Sequence, residues 1–244
     1  MRRLHSHRRF LAVGAAGLLA AGLAACSSSG SSSGASNTNT GAATTGKQLV
    51  MESSPESTIT QSFNPFVPTG APWGMGATGL IYEPLIQFNL AAPPKYYPWL
   101  ATSYAWSNGG KTLTFAIRQG VKWNDGQPFT PADVVFTFNM LKKTAAVNLN
   151  GVKYDQVSAS GNNVVLNFAT PQFTNLQSIA GTAMVPKHIW SSQAKPETFA
   201  DPNPVGTGPF KLGSFTPQGF TLVKNPGYWQ ASQLKVPKVF FPVY

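Results

Sequence analysis

The sequence predicts a mixed α/β (α+β) fold of short strands and short helices over residues 47–244. Three observations predict it. The chain has 23 Gly and 20 Pro in 244 residues and only 11% charge, which favours many turns over a helical bundle. Leu113, Phe115 and Ile117 alternate with Thr112, Thr114 and Ala116, the period of a half-buried strand. Val134, Phe138 and Leu141 recur at helical spacing behind a Thr130-Pro131 start signal.

The N-terminus carries an address rather than a fold. A basic stretch to Arg9 precedes an apolar run from Phe10 to Ala25, 16 residues long. That is short for a membrane span of roughly 20 residues and suits a signal-peptide core. The run ends in Leu23-Ala24-Ala25-Cys26, the lipobox pattern of an aliphatic residue, two small ones and a cysteine. Residues 1–25 are therefore expected to be a lipoprotein signal peptide and Cys26 its acylated residue. Arg8-Arg9 lacks the spacing of a twin-arginine signal, so Sec export is preferred. Residues 27–46, "SSSGSSSGASNTNTGAATTG", carry no charge and no aromatic group. Together with Cys26 they read as a lipidated, disordered tether over 26–46, with a typical span of about 25 Å.

The elements of the folded part follow in order. "KQLVME" reads as a first strand and residues 53–77 as a loop rich in Pro, Gly and aromatics. "TGLIYEPLIQFN" reads as a short helix entering a strand. Two strands flank Asn108-Gly109-Gly110, and a hairpin turns at Gly161-Asn162-Asn163. "TNLQSIAGTAMVPKHIW" gives one or two helical segments. A second hairpin turns at Pro217-Gln218-Gly219, and "KVPKVFFPVY" is a last strand.

Composition excludes several functions. Removing residues 1–25 leaves 14 basic against 8 acidic residues, a formal +6, with no Arg cluster, so nucleic acid is not an expected partner. Cys26 is the sole cysteine, and His188 is the sole histidine beyond the leader, so no metal site and no cofactor are expected. His188 reads as an ordinary early residue of a helix begun at Pro186. Asp125 and Asp133 raise the question of a glycosidase pair. Asn124-Asp125-Gly126 is a turn signal, however, and Asp133 falls at N3 of the helix begun at Thr130-Pro131, as in a capping box. Both aspartates are read as scaffold, and no enzyme is expected.

"LTFAIRQGVKWNDGQPFTPADVVFTF" resembles the signature of the family 5 extracellular solute-binding proteins, the peptide and nickel type serving ABC importers. "PVGTGPFKLGSFTPQGFTLVKNPGYW" is similar to that family's Gly-Thr-Gly-Pro-aromatic hairpin and Asn-x-x-Tyr-Trp element, and "LIYEPLI" and "MVPKHIW" fit weaker blocks between. The resemblance implies a periplasmic-binding-protein-like fold, two-lobed in the family. Residues 47–244 would be the first lobe with its extra subdomain, an incomplete portion without the second lobe. It implies a monomer outside the membrane, lipid-anchored to the outer face of the cell membrane, that delivers solute to ABC permease subunits. Oligopeptide is the implied ligand class, and oligosaccharide the alternative, which the chain's six tryptophans would suit. Different in class are a lipid-anchored hydrolase using Asp125 and Asp133 and a signalling ectodomain. Asn64, Phe66, Trp73 and Tyr82 combine an amide with stacking surfaces and are the candidate ligand wall. Gly206-Thr207-Gly208-Pro209 is read as a backbone device near the crossover between lobes.

Overall fold

The computed structural model describes residues 48–51, 57–91 and 95–243. The leader, Cys26 and the tether expected over 26–46 lie outside the described residues. The chain runs through β1 (Gln48–Val50), α1 (Ala71–Gly74), α2 (Thr78–Ile81), β2 (Ile86–Asn89), β3 (Lys95–Pro98), β4 (Ala101–Ser107) and β5 (Thr112–Ile117). It continues with α3 (Pro131–Lys143), β6 (Gln156–Ser160), β7 (Asn163–Asn167), α4 (Leu176–Ala180), α5 (Lys187–Trp190), β8 (Phe210–Thr216), β9 (Gly219–Lys224) and β10 (Lys238–Pro242).

Three sheets result. The first has the order β1-β10-β9-β8, with β1 parallel to β10 and the other pairs antiparallel. The second is the antiparallel pair β2-β3. The third, β4-β5-β7-β6, is antiparallel throughout. First and last elements thus meet in one sheet, and the third sheet is inserted between them in the chain.

The period-2 strand reading matches β5. Leu113, Phe115 and Ile117 are buried, and Leu113 and Phe115 pair across the sheet with Leu166 and Val164. Burying each such side chain contributes about 1.5–3 kcal/mol. Two hairpin tips are one residue tighter than read. Asn163 and Gly219 are already paired, with Ser160 and Thr216 respectively, so each loop holds two residues. The loop read over 53–77 contains one helical turn, α1, which Pro72 favours by presetting φ in the first turn. Strand β3 was missed because "KYYP" is too short to show a period; β2 supplies its partner, with Gln87 opposite Tyr97.

Helix α3 begins where its start signal lies. Asp133 Oδ2 accepts from the Thr130 amide and hydroxyl, both at 2.9 Å, closing the first turn. Its other oxygen, Oδ1, accepts from Lys187 N at 3.0 Å and so fixes the start of α5. Asp125 makes its turn by accepting from Gln127 N at 3.1 Å. It also reaches His188 Nε2 at 2.7 Å, a contact the sequence reading of His188 did not anticipate. Both aspartates therefore secure consecutive residues of α5, from two different elements.

Asp133 is buried, whereas the Asp125–His188 pair is partly exposed. Asp133→Ala strands two backbone donors and is expected to cost about 2–3 kcal/mol. Asp125→Ala should cost under about 1 kcal/mol. Urea denaturation of both variants measures the difference, and equal losses would refute the division of labour.

Candidate functional site

A cavity of about 480 Å³ opens between the segment carrying α1 and α2, the β2-β3 hairpin, the turn after α3, and α4. That volume lies within the ~300–1,000 Å³ of small-molecule sites. The first segment contributes Pro65, Phe66, Trp73, Thr78, Gly79 and Tyr82. The hairpin side adds Ile86, Gln87, Phe88 and Leu90. Leu149 and Asn150 close one end, and Gln177, Ser178 and Gly181 the other.

Of the four residues singled out from sequence, three line this cavity and one does not. Trp73 is 41% exposed on α1 and offers its ring to the opening. Phe66 is buried, packed edge-on against Trp190 with ring centres 5.6 Å apart, and reaches the cavity from behind. Tyr82 is buried, and its hydroxyl donates a hydrogen bond to Asp201 Oδ2. Asn64 is taken up inside the lobe. Its Nδ2 donates to the carbonyls of Pro196 and Phe199 at 2.8 and 2.7 Å, and its Oδ1 accepts from Phe66 N at 2.8 Å. It holds the loop that presents Phe66 and Pro65.

The remaining tryptophans are accounted for differently. Trp123 and Trp190 are fully buried. Trp106 packs against Phe168 and Phe173. Trp99 and Trp229 meet edge-on, 5.3 Å apart, and both donate to Glu83. Of the six, Trp73 is the one that reaches the cavity. Sequence reasoning missed Gln87, Leu90, Leu149, Asn150 and Gln177, which come together only through tertiary packing. The exposed Leu90 and Leu149, apolar residues in polar turns, were the one available signal.

Behind the cavity lie two buried carboxyls. Glu83 Oε1 accepts from Trp99 Nε1 at 2.6 Å and Tyr228 Oη at 2.9 Å, and Trp229 Nε1 reaches Oε2 at 3.3 Å. Burial raises the Glu83 carboxyl above its ordinary range, opposed by these hydrogen bonds. Asp201, at φ 48°, is pushed up to about 6 by burial, with the Tyr82 hydroxyl pulling the other way. Burial and the Asp201 charge together raise Tyr82.

The Gly206–Pro209 segment is a backbone device. A Cβ on Gly206 would overlap the Ile81 carbonyl, and one on Gly208 would lie 2.5 Å from Leu80 O. That closeness lets Gly208 N donate to Ile81 O at 2.8 Å, while Asn124 N and Asn225 Nδ2 bond the carbonyls of Gly206 and Gly208.

Among the described residues no cluster of three or more His, Cys, Asp or Glu could hold a metal, and no helix is long and apolar enough to cross a membrane. The sheet architecture, with its inserted four-stranded subdomain, is that of a periplasmic-binding-protein lobe, as the solved structures bear out. The oligopeptide-binding protein of Thermotoga maritima, in a structure with bound mannohexaose, matches with a TM-score of 0.72 and 28% identity, over 81% of this chain and 38% of that one. NikA of Brucella suis, in complex with Fe(III)-EDTA, matches with a TM-score of 0.66 and 26% identity, over 81% and 39%. Residues 95–244 match the bacterial extracellular solute-binding proteins, family 5, and the chain belongs to that family. Among curated relatives, the peptidoglycan-binding protein YepA of Agrobacterium fabrum is 31% identical over 180 residues, which are 69% of this chain and 29% of that protein. The oligopeptide-binding protein OppA of Bacillus subtilis is 29% identical, over 65% of this chain and 33% of its own length. The chain thus spans about a third of the length of these relatives. They are named for what they bind, not for a reaction.

An acid whose pKa is raised on folding holds its proton more tightly folded than unfolded. The stability Asp201 contributes is therefore fully present below its ordinary value near 3.8 and is lost as pH rises through about 6. Asp201→Asn, which keeps an acceptor for Tyr82 and tolerates positive φ, should melt higher than the parent above pH 6. The gap should shrink toward zero near pH 4. Melting curves across that range decide, and a gap independent of pH would overturn the assignment.

Proposed function

We propose that this chain is the solute-capturing lipoprotein of an ABC importer, taking oligopeptides or similar solutes outside the membrane and presenting them to the permease. Family membership and the open cavity bearing Trp73 support the reading. Capture needs no covalent step. A wall of aromatic rings and amides holds the solute, and a second wall closing over it excludes water and strengthens every contact. Phe66, Trp73 and Tyr82 are the proposed contact residues of this wall, and Asn64 the residue that holds their loop. Cys26 is the proposed lipid attachment point, residues 1–25 the signal removed before it, and 27–46 the tether. The protein acts as a monomer on the outer face of the cell membrane.

Two experiments test this. Ligand that binds only the folded chain raises its melting point, by about 2.7 kcal/mol of stability at a hundredfold excess over Kd. At least one member of a panel of peptides and neutral oligosaccharides should raise the melting temperature of the full chain; a panel without any shift would sink the capture reading. Separately, Cys26→Ser should move the protein expressed in a bacterial host from the detergent phase to the aqueous phase on Triton partitioning. Unchanged partitioning would remove the lipid anchor.

A further inference from the structure

The inserted sheet carries a second surface feature, built from residues that do not line the cavity. Strand β4 is its edge strand, and among the described residues no strand pairs with the free side. Edge strands are ordinarily guarded by a lysine, a proline or a covering segment. The sequence of β4, "ATSYAWS", has no lysine, no proline and no charge. Along it runs a row of four rings. Tyr96 meets Tyr104 with ring centres 5.6 Å apart, Trp106 stands two residues further along the same face of β4, and Phe173 meets Trp106 at 5.3 Å. The two ends of the row are its most open members, Tyr96 at 54% exposure and Phe173 at 55%.

Phe173 is held there by the backbone and not by burial. A Cβ on Gly110 would lie 2.4 Å from the Phe173 ring, so that ring rests directly on bare main chain. Gln172 N donates to Gly110 O and Phe168 N to Lys111 O, both at 2.9 Å, which fixes the loop that carries it. A single exposed ring needs no explanation, but a contiguous row held open on a fixed scaffold marks an interaction surface.

The charge around the row identifies the partner. Lys95 precedes Tyr96, Lys111 follows Gly110, and both lysines are exposed. The segments that build the row, residues 95–124 and 156–195, contain lysine and arginine but no Asp or Glu. Tyrosine and tryptophan rings beside lysines fit the headgroup layer of an anionic bilayer. There the apolar ring faces enter the acyl boundary, while the polar tips and ammonium groups stay with the phosphates. On the reading that Cys26 is lipidated, residues 27–47 keep the fold within about 25 Å of such a surface.

We propose that this edge of the inserted sheet, through Tyr96, Trp106 and Phe173 with Lys95 and Lys111, is a docking surface for an anionic phospholipid bilayer. The tether alone limits distance and leaves orientation free. This contact fixes which way the lobe stands on the membrane.

Co-sedimentation with vesicles tests this on the mature chain proposed above, residues 26–244 carrying Cys26→Ser, which has neither leader nor acyl chain. The vesicles are pure phosphatidylcholine, or equal parts phosphatidylcholine and phosphatidylglycerol. The parent should sediment with the mixed vesicles and far less with the pure ones, and high salt should release it. Phe173→Ser and Lys111→Glu should each weaken partitioning by about fivefold or more. Tyr97→Ser, exposed but on the opposite face of β3, and Trp73→Ser, in the cavity, should leave it unchanged. Circular dichroism checks the fold of every variant, and Lys111→Glu, at an exposed position, decides the matter should Phe173→Ser fail to fold. The docking surface is overturned by absent sedimentation, by equal sedimentation with both vesicle types, by parental binding in Phe173→Ser and Lys111→Glu, or by losses shared with Tyr97→Ser and Trp73→Ser. None of these outcomes touches the capture reading, which the solute panel tests separately.

Discussion

The rest of the described structure depends on how two adjacent residues, Tyr82 and Glu83, are buried. Tyr82 follows α2 in extended backbone, φ −105° and ψ 135°, so consecutive side chains leave on opposite sides. The Tyr82 hydroxyl goes to Asp201, in the loop before β8. Glu83 gathers Trp99 from the start of the inserted subdomain and Tyr228 and Trp229 from the turn after β9. Its backbone carbonyl accepts from Met184 N at 3.0 Å, which ties in the segment between α4 and α5. A buried carboxylate is costly unless it is hydrogen-bonded, and three side chains donate to Glu83. Removing a donor would take away one of the hydrogen bonds that oppose the effect of burial on this carboxyl. The connection between lobe sheet and subdomain is therefore specified by hydrogen bonds as well as by packing. Arg118 completes it, stacked 4.3 Å above the Trp229 ring and donating to Trp99 O at 2.6 Å.

This junction positions the cavity. Gly206 and Gly208 bring the backbone before β8 against the end of α2, close enough to leave no room for a side chain. Helix α2 is thereby held between that segment on one side and open space at Gly79 on the other. The loop ahead of it is secured by Asn64, and its aromatic residues interlock with Trp190 and Phe199. The segment carrying α1 and α2 is thus tied to the rest of the lobe both at its loop and at the end of α2. Preorganisation of that kind lowers the ordering cost of binding.

Local features were legible in the sequence and junctions were not. The cap of α3, the alternation of β5 and both hairpins follow from signals within a few residues, the hairpin turns each one residue tighter than their signals suggest. Strand β3 has no such signal and exists because β2 lies beside it. The candidate wall divides the same way. Phe66, Trp73 and Tyr82 were found because aromatic residues in a Pro/Gly loop are conspicuous. Asn64 looked equally suited to a ligand, but nothing local reveals that its amide reaches 132 residues along the chain to Pro196 O. The rim of Gln87, Asn150 and Gln177 comes from three elements that sequence order keeps apart.

The placement of charge explains why the cavity is neutral. Of the carboxyls in the described residues, Glu83, Asp133 and Asp201 are buried, and each accepts hydrogen bonds from a separate part of the chain. Asp125 is engaged with His188. These four acids are thus used as internal ties, while lysines such as Lys142, Lys143 and Lys187 stay exposed. A long, strongly hydrated cation has no reason to bend into an apolar cleft, and a carboxylate already filled with donors is not available there. The arrangement that holds the lobe together also withholds formal charge from its open wall. Stacking faces and neutral hydrogen-bonding groups are what that wall presents.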